Sequence, residues 1–120
     1  MPDVHSIRLR EPWQREPLEE GAGVRFRRRF GYPTGLEPHE RVFLVLEPVY
    51  RLAKLVLNGN PVAGLTDRNA ALEWDVTDRL EERNEIAADI EFGPSSPVGF
   101  ESRDVGDILG KVRLEIRFGA

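Results

Sequence analysis

The groups that could do acid–base chemistry in this 120-residue chain are its 21 carboxylates and two histidines. Two carboxylates hydrolyse a glycoside when they face each other about 5–9 Å apart across a cleft, and no spacing here singles out such a pair. His5 and His39 are far apart, and neither has a second ligand at metal spacing, so no zinc site is expected. With no cysteine, disulfides and thiolate ligands are excluded. Asp67 with Asn69, or Asp104 with Asp107, offer oxygen ligands for calcium, but the Asp-x-Asp-x-Asp-Gly spacing is missing. The expectation is no metal and no cofactor. There is also no Gly-x-Ser-x-Gly elbow, no Ser-His-Asp set and no phosphate loop. The chain is therefore not expected to be an enzyme, and a stand-alone hydrolase using loop carboxylates is the disfavoured reading.

Sugar binding needs other parts: an exposed aromatic ring for the C–H face of a pyranose, and fixed polar groups for its hydroxyls. The sequence has two Trp, two Tyr and six Phe. Trp74, Phe26, Phe30, Phe92 and Phe118 fall on the apolar parity of their segments, and Phe43 lies in an all-apolar run, so all six are expected in the core. That leaves Trp13, Tyr32, Tyr50 and Phe100 in loops or at strand ends. Trp13 is expected to plug one end of the fold. Tyr50, beside Arg51 and between two strands, is the preferred ligand contact.

The arginines form a stripe, Arg25, Arg27 and Arg29, that could suggest nucleic acid. The chain's net charge is −4, so the stripe is expected to pair with acidic neighbours on adjacent strands instead. Arg28 falls on the opposite, inward parity. It should meet a carboxylate, Asp75 or Glu47, in an architectural ion pair, or several backbone carbonyls.

The elements that must position these groups show a period of two. Val24–Phe30 (VRFRRRF), Ile86–Phe92 (IAADIEF) and Val112–Phe118 (VRLEIRF) alternate as strands with one wet face. Val42–Leu46 (VFLVL) is apolar throughout, as in a strand covered on both faces or shielded by a loop or partner. Ala53–Leu57 leads into Asn58-Gly59 and then Pro61-Val62-Ala63, a hairpin with a type I′ turn. Ala71–Val76 is a further strand, and Thr77–Glu82 could form a single helical turn. No apolar run approaches the ~20 residues of a membrane span, so neither membrane nor nucleic acid is an expected partner. The N-terminus carries no signal-peptide pattern, and a cytoplasmic location is expected. The length suits one domain over residues 1–120.

These segments resemble the N-terminal sugar-binding domain of glycoside hydrolase family two, which includes β-galactosidases, β-glucuronidases and β-mannosidases. VRFRRRF at Val24–Phe30 is similar to that domain's first long strand. AKLVLNGNPVAG at Ala53–Gly64 resembles its Asn-Gly hairpin, and EWDVTDRL at Glu73–Leu80 its Phe-Asp-Ile-Thr-type strand and turn. NEIAADI at Asn84–Ile90 and GDILGKVRLE at Gly106–Glu115 are similar to its last strands, and Pro12-Trp13 to its lead-in. Thr66–Ala70 departs from the Gly-Gly-Tyr segment often found before the Phe-Asp-Ile-Thr strand. The resemblance implies an all-β, two-sheet sandwich of the galactose-binding jelly-roll type, without the catalytic barrel that carries that family's two glutamates. The family's acid/base glutamate also follows an asparagine, but Asn84-Glu85 falls at a turn and is not assigned that role. The resemblance further implies that the loop from Gly93 to Val105 edges a pocket, where Ser95, Ser96, Glu101, Arg103 and Asp104 could hydrogen-bond hydroxyls.

The expectation is thus a non-catalytic module that binds carbohydrate or serves as an accessory domain. The alternative is a structural or protein-interaction module docked on a partner or on a copy of itself, a reading favoured by the all-apolar Val42–Leu46.

Overall fold

Alternation of apolar and polar side chains becomes nine antiparallel strands in a computed structural model that describes residues 5–10, 12–18, 23–47, 51–63, 71–92 and 108–118. In chain order they are β1 (His5–Arg8), β2 (Gln14–Pro17), β3 (Gly23–Gly31), β4 (Glu40–Glu47), β5 (Arg51–Leu57), β6 (Asn60–Ala63), β7 (Leu72–Asp75), β8 (Arg83–Glu91) and β9 (Lys111–Phe118), with a short 3-10 turn at Thr77–Arg79. One sheet has the order β1-β9-β4-β7 and the other β2-β3-β8-β5-β6. The all-β sandwich expected from the sequence is present. The helical turn expected at Thr77–Glu82 is there as its first three residues only, in 3-10 form.

The core lies between the sheets. Val24 and Phe26 of β3 meet Ile86, Ala88 and Ile90 of β8 on the inner face of one sheet, while Val42, Leu44 and Leu46 of β4 and Val112, Leu114 and Ile116 of β9 line the other. Register keeps each set in step: Val24 is opposite Ile90 and Phe26 opposite Ala88, and Leu44 is opposite Leu114. In β5 the buried residues are Leu52, Leu55 and Leu57, which break strict alternation. A register shift between Leu52 and Lys54 accounts for this, because one extra residue returns Leu55 to the inner face. At Gly23 a Cβ would collide with the carbonyl oxygen of Ile90, so only glycine lets β3 and β8 approach there.

Trp13 plugs the sandwich as expected. It is buried, its Nε1–H donates to the carbonyl of Leu9 at 3.0 Å, and its ring meets Phe26 edge-on with centroids 6.5 Å apart. Four other aromatics depart in degree. Phe30, Trp74 and Phe92 pack against the core while only partly buried, and Phe43 is half-buried on the outer parity of β4. Phe118 departs outright: it is 64% exposed. It closes β9 opposite Glu40, where β4 begins, and stacks on His39 with ring centroids 4.3 Å apart. Parity placed it correctly with Ile116, but the β4 residue opposite it on that parity is Glu40, which gives it no apolar cover.

Phe26 and Phe118 share a parity and differ in burial, so truncation should separate them. Phe26→Ala is expected to cost about 3–5 kcal/mol in urea unfolding, and Phe118→Ala no more than about 0.5 kcal/mol. Equal losses would contradict this description of the core.

Candidate functional site

The sandwich has two ends, and of the sequence-predicted site residues only Arg51 is among the described ones. Glu47, Arg51, Glu91 and Lys111 lie at one end, since β4 pairs Glu47 with Lys111 and β5 pairs Arg51 with Glu91. Tyr50, Ser95, Ser96, Glu101, Arg103 and Asp104 lie outside the described residues. Arg51 is described as the first residue of β5. Phe100 also lies outside the described residues, while Tyr32 is partly exposed at the opposite end, its N–H bonded to Glu82 O.

That opposite end is built on two asparagines. Asn58 adopts φ 53° and Gly59 φ 80°, the paired positive angles of the type I′ hairpin expected for β5–β6. Asn84, only 2% exposed, accepts from Glu81 N–H (2.8 Å) and from Asn58 Nδ2–H (2.9 Å), and its own amide donates to Glu81 O (2.9 Å). Asn58 Nδ2 also donates to Arg79 O (3.2 Å), and Asn58 Oδ1 accepts from Glu85 N–H (2.8 Å). Hairpin, 3-10 turn and β8 are thereby joined through the buried amide of Asn84 and the half-buried amide of Asn58, each with both ends satisfied. Asn84 and the Glu85 N–H are thus both engaged in holding this end together.

Asp75-Val76-Thr77 forms a second clip. Asp75 Oδ1 accepts from the N–H (3.0 Å) and hydroxyl (2.7 Å) of Thr77, whose oxygen accepts from Val42 N–H at 2.8 Å. The Asp-x-Thr spacing of the strand-and-turn motif thus has a physical cause: it ties the end of β7 to β4.

Among the described residues, two open grooves indent the surface. One, of about 510 Å³, is lined by Asn58, Asn60, Pro61, Asp78, Arg79 and Glu81; the other, of about 390 Å³, by Gln14, Arg15, Glu16 and Arg27. Neither has an aromatic ring in its lining. Arg79 donates to Pro61 O (2.9 Å), and Glu16 is held by Arg27 (2.9 Å). Among the described residues no group of three His, Asp or Glu is placed to hold a metal ion.

The arginine stripe pairs as expected. Arg25 makes a two-pronged contact with Asp89 at 2.6 and 2.9 Å, which explains how Asp89 can be 8% exposed; Arg27 pairs with Glu16 and Glu85, and Arg29 with Glu85. Arg28 takes the carbonyl alternative. It donates to Arg10 O (2.7 Å) and Arg29 O (2.9 Å), whereas Asp75 and Glu47, the partners expected for an ion pair, are held by Arg41 and Arg113. Both carboxylates belong to the other sheet, whereas Arg28 is on β3.

A second charged ladder covers the outer face of the β1-β9-β4-β7 sheet. Glu115 lies between Arg113 and Arg117, each at 2.7 Å; Arg113 also reaches Glu47 (2.7 Å) and Arg117 reaches Glu73 (2.8 Å). The Arg117 guanidinium lies 4.2 Å over the Phe43 ring. Val45, flanked in register by Arg113 and Glu73, is fully buried. The outward apolar residues of VFLVL are therefore accommodated without invoking a partner. The signal for this ladder was present in the R-E-R alternation of β9.

Hydrogen bonds from Arg113 and Arg117 hold the Glu115 carboxyl below its ordinary range, and Arg117 does the same for Glu73. Burial pushes Asp75 upward, but hydrogen bonds from Arg41 and Thr77 outweigh it and hold this carboxyl low as well.

No family model matches the sequence, and no curated protein does. Solved structures match the fold. The β-glucuronidase of Bifidobacterium dentium, complexed with coumarin-3-O-glucuronide, aligns at TM-score 0.71 and 16% identity over 95% of this chain and 30% of its own. An uncultured Clostridium sp. β-glucuronidase aligns at 0.69 and 17% over 95% and 29%, and that of Faecalibacterium prausnitzii at 0.68 and 16% over 95% and 31%. The chain spans under a third of these proteins, and the likeness is one of fold. β-Glucuronidases belong to the family whose sugar-binding domain the sequence resembles.

Carboxyls held low in the folded chain add stability at neutral pH, and this is lost as pH falls through their lowered values. Urea midpoints are therefore expected to drop below about pH 4. Glu115→Gln should cost about 1–3 kcal/mol at neutral pH by leaving two arginines underpaired, and should flatten that acid slope. An unchanged slope would refute the ladder's role.

Proposed function

From a sandwich shared with β-glucuronidases, we propose that this chain is a non-catalytic accessory module that contacts a pyranoside through loops at one end. The observation that carries the reading is the alignment itself: 95% of this chain corresponds to a domain-sized part, 30%, of an enzyme that was captured with a glucuronide. A second support is the use of the charged groups. The described arginine–carboxylate ladders lie on the outer faces of the sheets and are paired with one another, an arrangement suited to holding a fold and unsuited to enclosing a substrate.

The contacts fall to the end where the segments 48–50 and 93–107 join the strands. Tyr50 supplies the ring, Arg51 a charged donor, and Ser95, Ser96, Glu101, Arg103 and Asp104 the hydrogen bonds to hydroxyls. A glucuronide carboxylate would favour the two arginines; a galactoside would use the hydroxyl contacts alone.

Calorimetric titration with a panel of methyl glucuronides and galactosides should show saturable binding at millimolar concentrations. Tyr50→Ala with Arg51→Ala is expected to weaken it about tenfold or more, a loss of about 1.4 kcal/mol. Chromogenic glycosides should not be turned over. The proposal fails if no sugar binds, or if turnover appears and a single loop-carboxylate substitution abolishes it.

A further inference from the structure

Asn58-Gly59 is the only Asn-Gly dipeptide in the sequence, and its chemistry goes beyond any sugar-binding role. In such a pair the backbone nitrogen of the glycine can lose its proton and attack the asparagine Cγ. The new N–C bond closes a succinimide while the Cγ–Nδ2 bond breaks and ammonia leaves. Water then opens the ring at either carbonyl, giving aspartate or isoaspartate. Glycine offers least resistance, having no Cβ to obstruct the approach.

The fold holds this amide away from that path. Asn58 Oδ1 is engaged by Glu85 N–H at 2.8 Å, Nδ2 by Asn84 Oδ1 at 2.9 Å and Arg79 O at 3.2 Å, and the Asn58 N–H donates to Glu85 O at 2.9 Å. Swinging Cγ over the Gly59 nitrogen breaks the three side-chain bonds together, which amounts to opening the hairpin from β8 and the 3-10 turn.

The product cannot return to the same place. A carboxylate at position 58 has no donor for Asn84 Oδ1 or Arg79 O and sets oxygen against oxygen. Asn84 cannot turn over to compensate, because its amide accepts from Glu81 N–H and donates to Glu81 O, and reversal would spoil both. Isoaspartate also adds a backbone methylene to a two-residue turn that fixes the pairing of Leu57 with Asn60. We propose that Asn58 is a deamidation site gated by opening of the fold, and that its modification prevents the lock from re-forming.

The test is to incubate the full chain at mildly alkaline pH, with and without unfolding urea, and to follow Asn58 by peptide mapping that separates Asp from isoaspartate. The unfolded chain should be modified at least about tenfold faster than the folded one. Asn84→Ala, kept where circular dichroism shows it folded, should speed modification of the folded chain; the comparison within the parent chain stands if that variant does not fold. Asn58→Asp should lower the urea midpoint. Equal rates in folded and unfolded chains would overturn the gate, and a midpoint unchanged by Asn58→Asp would overturn the failure to relock.

Discussion

Alternate side chains of β3, β4, β8 and β9 build the core between the sheets, with Arg28 and Phe118 as exceptions, and most of the other parity must come to terms with solvent. This constraint organises the molecule. Hydrophobic burial between the sheets is non-directional and would tolerate many registers. The polar contacts of the outer faces and of the end built on Asn58 and Asn84 are directional, and they fix the one register seen. Arg25 on Asp89 ties β3 to β8, while Arg113 on Glu47 and Arg117 on Glu73 tie β9 to β4 and β7.

The two kinds of polar contact differ in consequence. The ladders lie partly in water, where ion pairs contribute little individually and salt weakens them. The Asn58–Asn84 pair lies in a drier place, and neither amide can be removed without stranding the partners of the other. Stability against acid therefore resides in the faces, and the geometry of the turn end in two neutral side chains.

How far the sequence could be read depended on whether a signal was local. The alternation in β3, β8 and β9 was unambiguous, and so was the Asn-Gly hairpin. HSIR and QREP, which form β1 and β2, hold too few apolar residues to register as strands, and they exist because longer neighbours offer them an edge. Parity told which face Phe118 shares but not that its partner in register, Glu40, would leave it uncovered. Arg28 was correctly placed apart from the stripe, yet its carbonyl partners come from local chain geometry that no composition reveals. VFLVL was open to two readings until Arg117 was seen over Phe43. The proposed sugar contacts were legible only as positions between strands; Tyr50 and the residues after Gly93 have no periodicity from which a direction could be derived.

The sheet edges β1, β7, β2 and β6 are each four residues long, and β2 and β6 contain Pro17 and Pro61. A short edge interrupted by a residue with no N–H is a poor template for a foreign strand. A domain framed in this way can be carried beside other β-rich domains at high local concentration while resisting the strand exchange that leads to tangled aggregates.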